Sequence, residues 1–122
     1  MNSRAFITTL LAAATLTACS QTPPPPGTIP VEATDDACKV TPPQAPVGTI
    51  TFQVTNKGTK TIEFYLYGTD GKVMSEVEGI GVGLTRTMQI QVPQPGTYTT
   101  ACKPGMKGRG IRGEFIVTPA RT

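Results

Sequence analysis

The chain contains no histidine and no tryptophan among its 122 residues. Without an imidazole, no serine or cysteine nucleophile can pass its proton to a neighbouring histidine. Metal sites built on imidazole nitrogen are excluded for the same reason. The sequence also lacks a Cys-x-x-Cys pair and a glycine-rich phosphate loop that opens a helix. We therefore predict that the protein is not an enzyme.

Helical periodicity is also missing, whereas apolar residues alternate with polar ones in three runs. The predicted inward residues are Ile50, Phe52 and Val54, then Ile62, Phe64 and Leu66, then Met88, Ile90 and Val92. A last short strand is predicted at Glu114 to Val117. Turn signals separate the runs at Asn56-Lys57-Gly58, Asp70-Gly71 and Pro95-Gly96. The pattern predicts one all-β sandwich or barrel over residues 35–119.

The start of the chain has the composition of a bacterial export signal. Arg4 precedes an apolar run from Ala5 to Leu16 that is short for a membrane span. The run ends in Leu16-Thr17-Ala18-Cys19, which resembles a lipobox, although an ordinary signal with a chance cysteine is the alternative. We expect residues 1–18 to be a lipoprotein signal, Cys19 to be lipidated and residues 19–34 to be a proline-rich tether. The domain would then sit on the cell membrane, facing the periplasm or the extracellular space.

With Cys19 as the anchor, Cys38 and Cys102 remain as a pair. In an exported protein two such cysteines are commonly joined, and a bridge across so long a loop stabilises a small domain by roughly 4 kcal/mol. The alternative is a pair of thiolates that bind a soft ion such as cuprous copper, with the thioether of Met106 nearby. The two interpretations can also be redox states of one site, and the residues alone leave the choice open.

The segment Gly96-x-Tyr98-x-x-x-Cys102 resembles the last ligand-bearing strand of a cupredoxin. This resemblance implies an all-β, cupredoxin-like Greek-key β-sandwich. In blue-copper proteins a histidine follows the cysteine by three residues and a methionine comes a few residues later. Here Gly105 stands at the histidine position, and Met106 comes earlier than the usual axial ligand. An ordinary blue-copper electron carrier is therefore excluded.

A longer resemblance links the chain to the cupredoxin-like domain of EfeO-type iron-uptake proteins. It is carried, in order, by Cys38, Gly48 to Lys57, Ile62-Glu63-Phe64, Glu76 to Ile80, and Pro95 to Cys102. In that family a histidine-free site of two cysteines and nearby glutamates is associated with copper or iron. The resemblance implies the metal ligands Cys38, Cys102 and Glu63, with Glu76 and Glu78 as further candidates. By strand alternation Glu63 lies on a polar face, where a solvated carboxylate is the alternative.

The same resemblance implies a role accessory to metal uptake, with a permease or an iron-binding subunit as partner. Full-length EfeO proteins carry an imelysin-like domain with a His-x-x-Glu iron motif, and this sequence has neither. We therefore expect a stand-alone metal-binding module, with a copper ion as cofactor and iron, or no metal, as the alternatives.

The second functional hypothesis rests on positive charge. Four basic residues lie within ten positions among glycines, namely Lys103, Lys107, Arg109 and Arg112. Such a loop attracts acidic partners, with a solvated, solubilising loop as the alternative. An exported location makes nucleic acid an implausible partner. The alternative function is thus a disulfide-stabilised β-sandwich that binds a protein partner through this loop and holds no metal.

Overall fold

The computed structural model describes Pro25 and residues 27–121. The predicted signal, the lipobox and the lipidated Cys19 lie outside these residues, as does the first part of the predicted tether. The described part is built from strands, and it contains no helix that could cross a bilayer.

Nine strands of the described region form two sheets that pack face to face, which confirms the predicted all-β sandwich. In chain order they are β1 (Thr28–Ala33), β2 (Cys38–Val40), β3 (Gln44–Pro46), β4 (Gly48–Asn56), β5 (Ile62–Tyr67), β6 (Val73–Ile80), β7 (Thr85–Val92), β8 (Gly96–Pro104) and β9 (Ile111–Thr118). The four-stranded sheet has the order β2-β1-β4-β7, and the five-stranded sheet has the order β3-β9-β8-β5-β6. The pairs β1–β4 and β3–β9 are parallel, and the other pairs are antiparallel.

The core lies between the sheets because each strand turns alternate side chains inward. Phe52 of β4 stands at its centre, with its ring centroid 5.2 Å from that of Phe64 and 5.1 Å from that of Phe115. All three rings are fully buried, as are Ile50, Val54, Ile62 and Leu66. The tilted and edge-on contacts let three phenylalanines fill a core that has no tryptophan.

Two predicted boundaries are corrected by the structure. The segment Thr28–Ala33, assigned from sequence to the tether, forms β1 and lies between β2 and β4. Pro30 made this segment look unlike a strand, because proline donates no backbone hydrogen bond. The last strand is also longer than predicted, since β9 already begins at Ile111. The sandwich therefore starts earlier in the chain than Asp35, and the basic segment overlaps two strands.

Strand direction separates the two ends of the sandwich. The chain enters β1 at Thr28, which pairs with Thr51, and leaves it at Ala33, which pairs with both Cys38 and Asn56. Cys102 lies close to the end of β8, where that strand pairs with the start of β5. We call the end that holds Cys38, Asn56 and Cys102 the cysteine end. The chain thus enters the sandwich at the opposite end.

Candidate functional site at the cysteine end

Cys38 and Cys102 are joined by a disulfide, with their Cα atoms 5.5 Å apart. Cys38 is the first residue of β2, an edge strand of the four-stranded sheet, and it is partly buried. Cys102 is fully buried on β8, inside the five-stranded sheet. The bond therefore ties the edge of one sheet to the interior of the other. Of the alternatives that the sequence left open, this structure contains the bonded form.

A short turn before Cys38 sets the position of that cysteine. The hydroxyl of Thr34 accepts hydrogen bonds from the backbone N–H groups of Asp36 (3.3 Å) and Ala37 (3.0 Å). The N–H of Thr34 donates in turn to the carbonyl of Ala37 at 2.9 Å. A threonine side chain commonly closes a turn in this way. The chain reverses within four residues, and β2 begins directly opposite the end of β1.

The same turn is also held by Asp35, which is hydrogen-bonded to Thr59 in the neighbouring loop between β4 and β5. Its carboxylate accepts a hydrogen bond from the backbone N–H of Thr59 at 2.8 Å and another from the Thr59 hydroxyl at 2.6 Å. The hydroxyl bond, followed by the backbone bond, lowers the pKa of Asp35 below its ordinary value. Gly58 permits this approach, because a Cβ at that position would lie 2.5 Å from a carboxylate oxygen of Asp35.

Asn56 joins two further loops from inside the protein. This fully buried side chain donates from Nδ2 to the carbonyls of Lys60 (2.8 Å) and Ile80 (2.9 Å). Its Oδ1 accepts from the N–H of Gly58 at 3.0 Å. Asn56 is not among the site residues predicted above. The signal was present, because Asn56 continues the inward phase set by the apolar residues of β4.

The loop from β8 to β9 lies over Cys102. Lys103, Pro104, Gly105 and Met106 form a tight turn in which the N–H of Met106 donates to the carbonyl of Lys103 at 3.0 Å. The side chain of Met106 is 45% exposed. Further on, Gly110 has a φ of +74°, and a Cβ there would lie 2.6 Å from the carbonyl oxygen of Cys102. Glycine is therefore required where the returning chain touches the cysteine strand.

The candidate glutamates lie away from the cysteines. Cys102 pairs with Phe64, which faces the core, so Glu63 faces outward beside Lys103. Glu63 accepts a hydrogen bond from the hydroxyl of Tyr65 at 3.0 Å. Glu76 is the cross-strand partner of Tyr65, and Glu78 is exposed further along β6. In the part of the chain that the structure describes, no three side chains among histidine, cysteine, aspartate and glutamate are grouped to hold a metal ion.

The basic residues that sequence placed in one loop are divided between two environments. The ammonium group of Lys103 lies 3.9 Å from the ring centroid of Tyr65, and the guanidinium carbon of Arg112 lies 4.4 Å from that of Tyr67. Both cations lie on strands and cover aromatic rings on the outer face of the five-stranded sheet. Lys107 and Arg109 lie in the loop itself and are exposed.

The alternation that turns Phe64 and Leu66 inward predicts that the two tyrosines beneath these cations, Tyr65 and Tyr67, face outward. They do face outward, but Tyr65 and Tyr67 are only 9% and 6% exposed. Their rings stack at 5.7 Å, with 14° between the ring planes. The carboxylate of Glu76, the burial of the ring and the bond to Glu63 raise the pKa of Tyr65 above its ordinary value. An outward position is thus buried by its neighbours on the same face.

Comparison with known proteins identifies the family. The family model for the cupredoxin-like domain matches residues 5–117. The chain belongs to this family. Two solved structures agree in fold: a dithionite-reduced auracyanin from Roseiflexus castenholzii (18% identity, TM-score 0.54, covering 78% of this chain and 98% of that one) and auracyanin B (18% identity, TM-score 0.62, covering 80% and 93%). Comparison with curated proteins finds no match.

The predicted cupredoxin-like fold is therefore confirmed, whereas the oxidised cysteine pair does not fit a copper ion. A thiolate is the form of cysteine that binds a metal, and each sulfur atom here is bonded to the other. The two imidazole nitrogens of a blue-copper site have no counterpart, because the chain has no histidine. Reduction would turn the pair into two thiols, whose thiolate forms are soft metal ligands.

We predict that the disulfide contributes substantially to stability. It closes a loop between residues 64 positions apart, which corresponds to roughly 4 kcal/mol in the chain-entropy model. Urea unfolding should therefore show a lower midpoint for the wild-type protein in the presence of a thiol reductant. The Cys38→Ala variant should match the reduced wild type and should not respond to reductant. An unchanged wild-type midpoint after complete reduction would contradict this role.

We also predict that Thr59 controls the ionisation of Asp35. A carboxyl group with a lowered pKa adds stability above its ordinary pKa and loses it as the pH falls through the lowered value. In Thr59→Val the hydroxyl bond is removed, so the pKa of Asp35 should rise towards its ordinary value while the backbone bond remains. Carbon-detected NMR titration of the Asp35 carboxyl measures this directly.

Glu32 is the internal control for that titration. Its pKa is lowered by a hydrogen bond from Lys57 at 2.7 Å, which Thr59 does not touch. Substitution of Thr59 should therefore leave the Glu32 titration unchanged. An Asp35 pKa that stays where it is in the wild type would show that the hydroxyl has no such effect.

Proposed function

We propose that this protein is an exported, membrane-anchored cupredoxin-like domain that binds copper through Cys38 and Cys102 after their disulfide is reduced. The observation that supports the proposal is the 5.5 Å separation of the two Cα atoms at the end of β8. A polypeptide that holds two cysteines this close supplies two sulfur donors to one ion with little movement. Thiolates are soft ligands and favour cuprous copper over hard cations.

The change from one form to the other is a thiol–disulfide exchange. A dithiol reductant supplies two electrons and two protons, and it leaves as its own disulfide while Cys38 and Cys102 become thiols. Its thiolate reaches the sulfur of Cys38 first, because Cys38 is partly exposed and Cys102 is fully buried. The oxidised form then excludes the metal, and the reduced form accepts it.

A third donor is available from Met106 rather than from the glutamates. Met106 follows Cys102 by four residues and is exposed in the turn at the cysteine end. Glu63 and Glu76 lie on the outer face of the five-stranded sheet beside Tyr65. We therefore assign Cys38, Cys102 and Met106 to the sulfur site, and we retain the carboxylates only as ligands for the alternative of an iron ion. Glu78 belongs with those carboxylates.

The direction of β1 supports the placement of this site relative to a membrane. The chain enters the sandwich at Thr28, at the end opposite the cysteines. An anchor at Cys19 would therefore leave the cysteine end pointing away from the bilayer. Such an orientation suits exchange of copper with a metal-uptake permease, an iron-binding subunit or another protein of the cell surface.

Copper(I) titration of the reduced protein in competition with a colorimetric chelator tests the proposal. We expect one tight site in reduced wild type, and binding weakened by orders of magnitude in Cys102→Ser and in the oxidised wild type. Met106→Leu should weaken binding less than loss of a cysteine. Glu63→Gln is the matched control, because its carboxylate faces away from Cys102, and it should bind as the wild type does.

Two results would refute the copper site. Equal affinity of reduced wild type and Cys102→Ser would show that the cysteines are not ligands. A loss of binding in Glu63→Gln equal to that in Cys102→Ser would contradict the all-sulfur ligand set, because it would make the Glu63 carboxylate a ligand. Ferrous ion, titrated in parallel, should bind more weakly than cuprous ion to the reduced protein, and the reverse order would favour the iron alternative.

A second candidate function is suggested by the exposed side chains of the same end. Val82 and Leu84 are 56% and 55% exposed in the loop before β7. Lys107 and Arg109 are exposed in the loop after β8. Apolar side chains and positive charge on the loops of one end suit an acidic protein partner, and this role requires only the oxidised form.

For this candidate we predict that Lys107→Ala combined with Arg109→Ala reduces capture of membrane proteins by the immobilised oxidised domain. Capture should fall further as salt concentration rises, because the attraction is between exposed charges. The control is Lys72→Ala combined with Arg121→Ala, which removes the same charge outside this loop and should leave capture intact. Equal capture by both double variants would argue against docking through the loop.

A further inference from the structure

The outer face of the four-stranded sheet carries no charge along its two longest strands. The outward residues of β4 are Thr49, Thr51, Gln53 and Thr55. Their cross-strand partners on β7 are two threonines and two glutamines, so eight adjacent positions bear only hydroxyl or amide groups. The nearest charged partners on this face, Glu32 and Lys39, lie on β1 and β2. The uncharged area is therefore continuous across β4 and β7.

The outer face of the five-stranded sheet, in contrast, carries several charged residues. Along the five-stranded sheet the outward positions include Glu63, Lys103, Arg112 and Glu114, together with the tyrosines that the cations cover. Both faces belong to a chain with 11 basic and 8 acidic residues. The charges are thus concentrated on one sheet and at the loops, and the uncharged face is not a consequence of a generally neutral sequence.

Hydrogen bonds between neighbouring side chains orient several polar groups of the uncharged face. The hydroxyl oxygens of Thr55 and Thr85 lie 2.8 Å apart, and the amide of Gln91 donates to the hydroxyl of Thr49 at 2.5 Å. Beside this second pair is a shallow cavity of about 230 Å³ lined by Thr49, Gln89, Ile90 and Gln91. It is smaller than the pockets of about 300–1,000 Å³ that hold drug-sized ligands. The volume of the cavity is suited to one polar group of the size of a six-membered ring.

The chemistry of this face selects a class of ligand. Hydroxyl and primary amide groups both donate and accept hydrogen bonds. Arg86 is the charged residue of these two strands, and it pairs with the buried Val54, so it lies in the inward phase and not among the outward positions. The outward positions of β4 and β7 offer a charged ligand no counter-charge, and they offer a protein partner none of the aromatic or arginine side chains on which interfaces usually depend. Neutral glycans present hydroxyl groups, and amide groups where they are N-acetylated. They match the face in hydrogen bonding and in charge.

We propose that the outer face of β4 and β7 binds a neutral glycan chain, with one sugar ring in the cavity between Thr49, Gln89 and Gln91. This inference is independent of the cysteine chemistry. No aromatic ring is available for stacking on the outward positions of these strands, so binding depends on hydrogen bonds and is weak for a single short chain. A protein tethered near a polysaccharide layer compensates through high effective concentration.

Titration of the isotope-labelled protein with chitohexaose, an uncharged oligomer of N-acetylglucosamine, tests the proposal by NMR. We expect saturable shifts, at millimolar ligand, in the backbone amides of β4 and β7 and in the side-chain amides of Gln89 and Gln91. Removal of both amides in Gln89→Ala combined with Gln91→Ala should weaken binding by about fivefold or more. Glu114→Gln, on the outer face of the other sheet, is the control and should bind as the wild type does.

Salt provides a second measurement. Binding of a neutral ligand to a neutral face should be the same at low and high salt concentration. Several outcomes would overturn the proposal: no saturable shift, shifts confined to the loops at the cysteine end, or equal affinity of the double variant and the wild type. Shifts in β4 and β7 that depend on protein concentration without glycan would instead identify the face as a contact between two copies of the chain.

Discussion

The covalent bond between Cys38 and Cys102 is the constraint on which the arrangement of the cysteine end depends. It joins an edge strand of three residues to a buried strand of the opposite sheet. So short a strand makes few hydrogen bonds of its own, and the disulfide fixes its distance from the core. The loops around it are then placed by short polar contacts: the Thr34 turn, the Asp35–Thr59 bonds and the buried amide of Asn56. Each of these contacts positions one loop against another loop that is itself fixed by one of the other contacts.

The chemical role of the pair Cys38 and Cys102 depends on its oxidation state. As a disulfide, the pair is a covalent cross-link in a small domain. In that state the chain shares the architecture of its family without a metal site at the cysteines. As two thiols the pair becomes a compact sulfur donor set at the end of β8, without the imidazoles that complete a blue-copper centre. Under the proposed function, a change of two electrons would convert a structural element into a ligand set.

The fold was largely predictable because alternation along β4, β5 and β7 states directly which side chains face the core. Phe52, Phe64 and Met88 were placed correctly by this rule. The rule failed at Thr28–Ala33, because Pro30 made this strand look like part of the tether. It also failed to predict the burial of Tyr65 and Tyr67, which face outward but are covered by cations from neighbouring strands. Strand alternation reports the face of a sheet on which a residue lies. It does not report which residues of other strands cover it.

The candidate site was predictable only in part. The position of Cys102 followed from the Gly96-x-Tyr98 pattern, and its partner followed from the small number of cysteines. The separation of Glu63 from the cysteines was already contained in its outward phase, whereas the grouping of glutamates with cysteines came from resemblance. Asn56 was missed because its inward phase in β4 indicates burial but does not indicate which groups its side chain contacts. Its role depends on carbonyls from two loops that are distant in sequence.

The pairing of β3 with β9 has a consequence for the order in which this domain can assemble. β3 is the edge of the five-stranded sheet, and its only sheet neighbour is the last strand in the described chain. That sheet remains incomplete until Ile111–Thr118 is available, and β1 likewise waits for β4. Contacts between such distant segments slow folding, because a long loop must close before they form. The five-stranded sheet is therefore completed late in folding, after segments that are distant in sequence have met.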